Sequence, residues 1–492
     1  MLIIGNGKVT RLTGKPGMSL LSQLREAGIS IAADCGGNGT CGKCRVTVSG
    51  KGEVLACAYF PEGNETILLP ASGEEQMKIL TSVPISGEFC ADETREDFLA
   101  AVDLGTTTVA LELLGIKTGK IYASHAFVNP QRAYGADVIS RIRAACEGKA
   151  ERLKDLIRRE LRQGLNKLAA DTGINPERII KVAVAGNTVM EHIFLGLSCD
   201  GLGQYPFTPV TLNECNLEED EVRRDFGLTA EMVTLPGFSA FVGGDIAAGL
   251  LTCGFLDSEK PSLFLDLGTN GEMALGDRNT LLLTSAAAGP AFEGGNISCG
   301  TGSIPGAICG VDIKDGIAVC ATIGDKTACG LCGTGLVEAV SELRKNRILD
   351  ETGLLKSEYF DMGYPLARGP GGGIRLLQQD IREFQMAKAA VRAGMEVLLK
   401  KYGCKWDDLG HIYVAGGFGF YLNMEKAAGT GLFPEEAVSK IRVMGNSALT
   451  GAALYGCKDL KERIDKKKRI AKEVVLANEN DFQTLYLESM YL

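Results

Sequence analysis

Four cysteines near the start of the chain have the residue type and spacing of a metal site. Cys35, Cys41, Cys44 and Cys57 follow the pattern C-x5-C-x2-C-x12-C. Glycines fill much of the loop between the first and third cysteines, and glycine adopts backbone angles that other residues resist. Such a loop can wrap tightly and bring backbone N–H groups toward metal-bound sulfur. The fourth thiolate comes from the separate segment Leu55-Ala56-Cys57, so the pattern predicts one site with four thiolates.

Three kinds of cysteine site compete for this pattern. Structural zinc sites usually show two C-x2–4-C pairs, whereas only Cys41 and Cys44 form one here. A disulfide pair fits poorly, because sixteen cysteines without a secretion signal indicate a reducing compartment, where clustered cysteines more often bind metal. The loop spacing and the final Leu-Ala-Cys resemble those of 2Fe–2S ferredoxins. That resemblance implies a 2Fe–2S cluster held by Cys35, Cys41, Cys44 and Cys57.

A repeated loop later in the chain suits phosphate chemistry. The run Ala101–Thr106 recurs as Phe264–Thr269, and each is an apolar strand that ends in Asp-Leu-Gly-Thr. Turn amides cradle phosphate oxygens, and a carboxylate at a strand end, such as Asp103 or Asp266, can hold Mg²⁺ through waters. The repeat therefore predicts binding of a nucleoside triphosphate with magnesium. The candidate binding residues of the two loops are Gly105, Thr106, Thr107, Gly268, Thr269, Asn270, Gly271 and Glu272.

Three further glycine-rich segments complete the predicted nucleotide site. Their candidate residues are Gly186 and Asn187, Asp245, and Gly416, Gly417 and Gly419, the last three beneath the adenosine. Asp245 has two interpretations of equal weight: it orients the attacking water, or it caps a helix over Ile246–Leu251. No G-x4-G-K-[ST] sequence occurs, so these loops are not a P-loop.

The elements that position these residues fall into three predicted segments. Residues 1–70 show a hairpin signal, a helix over Ser19–Ala27 and returning strands, which is the order of a β-grasp domain. Residues 71–98 are acidic and unpatterned, which predicts a linker. Residues 99–492 read as α/β, and the repeated loop predicts a duplicated fold with two lobes and a cleft between them. A basic stretch over Leu460–Val475 predicts a solvated helix.

Charge and hydropathy argue against two classes of protein, nucleic-acid binders and membrane proteins. The net charge of −9 argues against a nucleic-acid binder, which normally shows a basic surface. No apolar run approaches the roughly 18 residues that span a bilayer, so we expect no membrane segment and a cytoplasmic location.

The phosphate loops and the strand end at Gly416 resemble the ATPase superfamily of actin, sugar kinases and heat-shock ATPases. Within it, the chain is similar to the reductive activators of corrinoid proteins. The segments that carry this resemblance, beside the ferredoxin-like segment, are Asn129–Gly135, Ala288–Gly294, Asp380–Gln385 and Ala415–Gly419. The fold implied is a multidomain chain of α/β and α+β parts, with a β-grasp 2Fe–2S domain followed by a two-lobed, RNase H-like (actin-like) ATPase.

The resemblance implies ATP-dependent reduction of an inactive Co(II) corrinoid to Co(I), the methyl-accepting state. It implies a 2Fe–2S cluster, ATP and Mg²⁺ as cofactors. From the loops themselves, Asp103, Asp245 and Asp266 are the candidate catalytic residues. The implied partners are a corrinoid (cobalamin-binding) protein and a low-potential electron donor such as ferredoxin or flavodoxin, and a homodimer stays open. The short distance between the ferredoxin-like segment and Asp103 predicts that the extra middle domain of some members is missing.

Joining the two parts in one chain has an energetic reason. Ferredoxin-type clusters reach roughly −400 mV, and the Co(II)/Co(I) couple is very low. Each gap of about 59 mV is a tenfold factor for one electron, so a second energy source is needed. An ATPase can supply it by clamping the partner in the state that favours Co(I).

Three alternatives stay open at this point. A small-molecule kinase fused to a redox domain would form a phosphorylated product. An activator of a radical dehydratase would use a second cluster at Cys329 and Cys332, although these also suit a glycine-rich turn before a helix over Leu336–Leu343. A ferredoxin with a degenerate nucleotide fold would hydrolyse no ATP.

Overall fold

The computed structural model describes residues 1–5, 8–29, 31, 33, 37, 39, 44–69, 96–369, 372–416, 422–458 and 460–492. The described residues group into two compact units, one of residues 1–69 and 96–235 and the other of residues 236–492. Among the described helices, none combines the length and apolar character needed to cross a membrane.

The first unit begins with a small mixed sheet. Its elements are β1 (Leu2–Gly5), β2 (Lys8–Arg11), α1 (Leu20–Glu26), β3 (Arg45–Val48), β4 (Gly52–Leu55) and β5 (Thr66–Leu68). The strand order is β2-β1-β5-β3-β4, with β1 and β5 parallel, which is the predicted β-grasp arrangement. Helix α1 begins after Ser19, whose Oγ accepts from the backbone N–H of Ser22, and ends before Gly28 at a φ of 74°. The predicted hairpin and helix are confirmed, while β4 was not predicted.

A six-stranded sheet forms the rest of the first unit. Its elements are β6 (Phe98–Leu104), β7 (Thr108–Gly115), β8 (Ile121–Val128), α2 (Val138–Ala144), α3 (Ala150–Thr172), β9 (Ile179–Gly186), α4 (Thr188–Leu195), β10 (Cys215–Asn216), α5 (Glu219–Phe226) and β11 (Glu231–Thr234). The order is β10-β11-β9-β6-β7-β8, with β6, β7 and β8 antiparallel and β9 parallel to both β6 and β11. The apolar residues Phe98–Val102 are buried, as expected for a central strand covered on both faces.

The second unit contains another six-stranded sheet with two smaller ones. Its helices are α6 (Gly244–Thr252), α7 (Gly333–Lys345), α8 (Ser357–Phe360), α9 (Gln378–Tyr402), α10 (Met424–Gly429), α11 (Ser447–Cys457), α12 (Lys461–Ile470) and α13 (Phe482–Glu488). Its main sheet comprises β12 (Ser262–Leu267), β13 (Gly271–Gly276), β14 (Leu281–Ala286), β20 (Ile412–Ala415), β21 (Ile441–Gly445) and β22 (Ala471–Glu473). The smaller sheets comprise β15 (Ala307–Lys314), β16 (Ile317–Thr322) and β17 (Gly330–Leu331), and β18 (Tyr364–Gly369) and β19 (Gly372–Leu376).

Strand order confirms the duplication that the repeated loop predicts. The first unit contains the order β11-β9-β6-β7-β8, and the second contains β21-β20-β12-β13-β14. In both, the central strand carries the Asp-Leu-Gly-Thr loop at its carboxyl end and begins an antiparallel meander of three strands. The two lobes are therefore copies of one topology, the actin-like ATPase fold.

Three local predictions need correction or lie outside the described residues. The basic helix ends at Ile470, and Ala471–Glu473 forms β22 instead, because this segment pairs in parallel with the edge strand β14. Asp245 does not cap α6, because the helix begins after Gly243 and Asp245 lies within its first turn. Residues 70–95, which hold most of the predicted linker, lie outside the described residues, so the domain bounds stay predictions.

Candidate functional sites: the cysteine site and two phosphate loops

Two of the predicted cluster ligands lie at the ends of neighbouring strands. Cys44 precedes β3 and is 1% exposed, and Cys57 lies in the turn after β4 and is partly buried. The antiparallel pair places Arg45 opposite Leu55, and the backbone N–H of Ala56 donates to the Cys44 carbonyl at 2.8 Å. This hydrogen bond pairs Cys44 with the residue that precedes Cys57. Cys35 and Cys41 lie outside the described residues.

The glycine-rich loop passes directly against Cys57. Gly37 and Gly39 have φ angles of 105° and 78°, in the left-handed region that favours glycine. A Cβ added to Gly37 would lie 3.9 Å from the Cβ of Cys57 and 3.1 Å from Leu21 Cδ2. Within the described part of the chain, no group of three or more metal-ligating side chains occurs, and two of the four predicted ligands are outside it. The described residues place Gly37, between the first two predicted ligands in sequence, next to Cys57.

The first phosphate loop joins β6 to β7. A Cβ on Gly105 would lie 2.3 Å from the Thr108 carbonyl oxygen, so this turn requires glycine. Asn187 follows β9, and its Nδ2 donates to Thr106 Oγ1 at 2.9 Å, while its Oδ1 caps α4 by accepting from the Met190 N–H. In the sheet, Asp103 is the register partner of Ala185 on β9. The structure thus brings together the predicted residues Asp103, Gly105, Thr106, Thr107, Gly186 and Asn187.

Two residues that the sequence analysis missed hold this loop. Asn129 Nδ2 donates to the Gly105 carbonyl at 2.9 Å, and the Asn129 backbone N–H donates to the Thr107 carbonyl at 2.9 Å. Arg141 is fully buried and donates to the Thr106 carbonyl. Arg141 also donates to the Gly135 carbonyl at 3.1 Å. Asn129 is the first residue of Asn129–Gly135, one of the segments on which the family resemblance is based. No sequence signal distinguishes Arg141 from the other arginines.

The second phosphate loop joins β12 to β13. Asp266 on β12 lies directly opposite Glu272 on β13 and beside Ala415 on β20. Gly416 has a φ of 93°, and a Cβ there would lie 2.7 Å from Asp266 Oδ1. The structure therefore brings Asp266, Glu272 and Gly416 together. Gly417 and Gly419 lie outside the described residues.

Acidic side chains surround this second loop. Burial, then the negative charges of Asp245 and Asp266, raise the pKa of Glu272 well above its usual value. Burial also raises the pKa of Asp245 to about 6, although its Oδ1 accepts from the Ile246 N–H at 2.8 Å. Three carboxyl groups thus lie close enough to repel one another, an arrangement that a divalent cation would relieve.

Glu293 is a fourth acidic residue at this loop, and the sequence analysis did not include it among the candidates. Thr269 Oγ1 donates to Glu293 Oε2 at 2.9 Å. Glu293 Oε1 lies 3.5 Å from the position of a Cβ on Gly268. Glu293 belongs to the motif Ala288–Gly294, so the resemblance marked the segment, but only the fold shows its contact with Thr269.

The pair Cys329 and Cys332 gives no support to a second cluster. Cys332 is 2% exposed, burial raises the pKa of its thiol, and its Sγ donates to the Ile308 carbonyl at 3.2 Å. Cys329 is exposed, and its Sγ contacts the Pro305 carbonyl at 3.8 Å. The two thiols have different partners, and Cys332 immediately precedes α7, as the turn interpretation predicts.

Family models account for nearly the whole chain. A model of the 2Fe–2S iron–sulfur cluster binding domain matches residues 3–66. A model of the RACo middle region matches residues 98–258, and a model of the C-terminal, ASKHA domain of RACo matches residues 260–492. The region that the middle model matches comprises the first actin-like lobe and the segment after it. The extra domain predicted to be missing would lie before this region, between the ferredoxin-like segment and Asp103, so its absence stays a prediction.

Individual relatives agree with these models. The corrinoid activation enzyme RamQ of Eubacterium limosum is 31% identical over 419 residues, which cover 81% of this chain and 69% of that protein. The [Co(II) methylated amine-specific corrinoid protein] reductase of Methanosarcina barkeri is 27% identical over 427 residues, covering 79% of this chain and 75% of that protein. The solved structure of a reductive activator for corrinoid, iron–sulfur protein is 26% identical, with a TM-score of 0.74 over 100% of this chain and 98% of that one. The chain belongs to the RACo family of reductive corrinoid activators, with an N-terminal 2Fe–2S domain and a C-terminal ASKHA ATPase domain.

Proposed function

We propose that this protein uses ATP hydrolysis to drive one-electron reduction of a Co(II) corrinoid protein to Co(I). The observation that carries the proposal is the presence, in one chain, of a cysteine loop against Cys57 and two Asp-Leu-Gly-Thr loops on duplicated lobes. The relatives named for corrinoid activation and Co(II) corrinoid reduction support it. The electron comes from a low-potential donor such as ferredoxin or flavodoxin.

The cysteine site holds the electron carrier. Cys35, Cys41, Cys44 and Cys57 are the ligands, and a bound 2Fe–2S cluster supplies one-electron transfer at low potential. Cys44 is buried within the β-grasp core. Gly37, without a side chain, lets the loop backbone approach Cys57.

The two phosphate loops have different roles in ATP hydrolysis: the first binds phosphate and the second holds the metal ion. In the first, the N–H groups of Gly105–Thr107 and the Thr106 hydroxyl bind phosphate oxygens. In the second, Asp266 anchors Mg²⁺, because three crowded carboxyl groups favour a divalent cation. Asp245, with a pKa of about 6, is mostly ionised at neutral pH and can orient the attacking water.

Replacing one buried ligand separates electron transfer from hydrolysis. We expect Cys44→Ser to lose bound iron and all corrinoid reduction, because it removes a thiolate of the cluster. ATP hydrolysis in the presence of the Co(II) corrinoid protein should remain within about twofold of wild type, because Cys44 packs only within the small β-grasp core. The measurements are iron content, phosphate release and loss of the Co(II) absorbance.

The control variant is Cys404→Ser, a partly buried cysteine of the second unit, which should keep iron and activity. Full corrinoid reduction by an iron-depleted Cys44→Ser protein would refute the electron-transfer assignment. Formation of a phosphorylated small molecule, instead of ADP and phosphate alone, would favour the kinase alternative.

A further inference from the structure

The end of helix α1 contacts the first actin-like lobe through arginine side chains. The Arg25 guanidinium lies 5.1 Å from the centroid of the Tyr134 ring, a cation–π contact. The Arg25 carbonyl accepts from Arg152 Nη2 at 2.8 Å. Arg159 Nη1 lies 3.4 Å from the position of a Cβ on Gly28. Helix α3, which carries Arg152 and Arg159, thus holds the carboxyl end of α1 in place.

The same Arg25 side chain reaches the cysteine loop. Arg25 Nη1 lies 3.7 Å from the position of a Cβ on Gly37, and the Cys57 Cβ lies 3.9 Å from that position. A cation next to a bound cluster would stabilise the additional negative charge of the reduced form and so would raise its reduction potential. The distance between the guanidinium and Gly37 would therefore affect that potential.

Tyr134 connects this contact to the first phosphate loop. Tyr134 is the last residue of the short 3-10 helix Pro130–Tyr134, and Asn129 caps the start of that helix. Asn129 donates two hydrogen bonds to the loop, to the carbonyls of Gly105 and Thr107. Arg141 bridges the Thr106 carbonyl and the Gly135 carbonyl, one on each side. A displacement of the loop therefore moves the turn and, with it, the ring that holds Arg25.

We propose that Tyr134 is a positioning residue that sets the distance of Arg25 from the cluster loop according to the nucleotide state of the first phosphate loop. The inference rests on the proposed function, since it takes nucleotide to bind at Gly105–Thr107. Linkage requires the effect to be reciprocal: if nucleotide changes the cluster potential, the redox state changes nucleotide affinity by the same factor.

The test is a spectroelectrochemical titration of the cluster-loaded, full-length protein without nucleotide, with ADP and with a non-hydrolysable ATP analogue. In wild type we expect the potential to differ among these states, and a tenfold difference in nucleotide affinity between oxidised and reduced protein equals about 59 mV. Tyr134→Ala should remove the difference while keeping iron content and nucleotide binding. Tyr134→Phe keeps the ring and should keep the difference.

Arg25→Gln should lower the potential in every nucleotide state, because it removes the cation. The matched control is Arg11→Gln, which removes an exposed cation from β2. Strand β2 is the edge of the β-grasp sheet opposite β4, the strand that precedes Cys57, so this change should leave the potential unchanged. Equal wild-type potentials in all nucleotide states, or a difference that survives in Tyr134→Ala, would overturn the inference. If ATP-driven corrinoid reduction persists in that case, only this inference fails. Absence of nucleotide binding in wild type would instead remove the proposed function.

Discussion

The two Asp-Leu-Gly-Thr loops have the same position in the same strand order, yet different kinds of side chain contact them. At the first loop, Asn129 and Arg141 donate to backbone carbonyls, and Asn187 donates to the Thr106 hydroxyl. Around the second, the side chains are carboxyl groups, from Asp245, Glu272 and Glu293. Donors favour phosphate oxygens, whereas crowded carboxylates favour a metal ion. Under the proposed function, this difference predicts that the first copy mainly binds phosphate and the second mainly binds magnesium.

The largest expected effect tests the metal role of the second loop. Asp266→Ala should reduce Mg²⁺-dependent ATP hydrolysis by more than about 100-fold, because the metal loses its anchor. Cluster content should be unchanged, and corrinoid reduction with the natural donor should fail. A much stronger artificial reductant should partly restore it, because that reductant removes the energetic need for ATP.

Asp103→Ala provides the comparison within the same fold. It should weaken nucleotide binding more than it changes the Mg²⁺ dependence of the remaining activity. Phosphate release measured across a range of Mg²⁺ concentrations distinguishes the two variants. Identical Mg²⁺ dependence in both would contradict the division between the loops.

Replacing buried Arg141, which donates to the first phosphate loop, should have an intermediate effect on stability and nucleotide binding. Arg141→Met should destabilise the protein by about 2–3 kcal/mol, because it leaves the buried Gly135 carbonyl and the partly buried Thr106 carbonyl without their donor. Nucleotide affinity should fall as well, because the loop loses its support. Arg143→Met, on the exposed face of the same helix, should change stability by less than about 0.5 kcal/mol. Denaturant titrations and nucleotide binding give both measurements, and equal effects of the two variants would argue against the role of Arg141.

The smallest effect concerns the ionisation of Asp245. Its folded pKa, about 6, is raised above the usual 3.8, so its contribution to stability is complete below about pH 4 and is lost as the pH rises through 6. In metal-free protein, Asp245→Asn should therefore be more stable than wild type at pH 7 by about 1–2 kcal/mol, and equally stable near pH 4. This free-energy difference is smaller than the full change in the pKa of Asp245 implies, because the residue is only partly buried and solvent screens its charge.

Thermal unfolding between pH 4 and 7 in the presence of a chelator measures this difference. Asp361→Asn, an exposed carboxyl of the same unit, is the control and should show no pH-dependent gain. Parallel pH profiles for Asp245→Asn and wild type would show that folding does not change the pKa of Asp245, and would contradict the raised value.

Local signals in the sequence were sufficient for much of the architecture. The cysteine spacing and the Leu-Ala-Cys segment identified the cluster domain, because a cluster constrains its ligands within a short loop. The repeated Asp-Leu-Gly-Thr run identified both lobes, because a tight turn after a buried strand has few permitted residues. Helix α1 was predicted within one residue at each end, since Ser19 and Gly28 act on the adjacent backbone.

Other features depended on contacts between distant segments, and only the tertiary structure decided them. Arg141 differs from its exposed neighbour Arg143 only because the fold places it against Thr106 and Gly135. Ala471–Glu473 became a strand because β14 offered an unpaired edge, which overrode the helical pattern of the preceding residues. The sequence by itself determined the candidate residues for the cluster and the phosphates, because those residue types and spacings are local. The tertiary structure decided which loop is acidic and which side chains support each loop, because burial and charge proximity arise only when distant segments pack together.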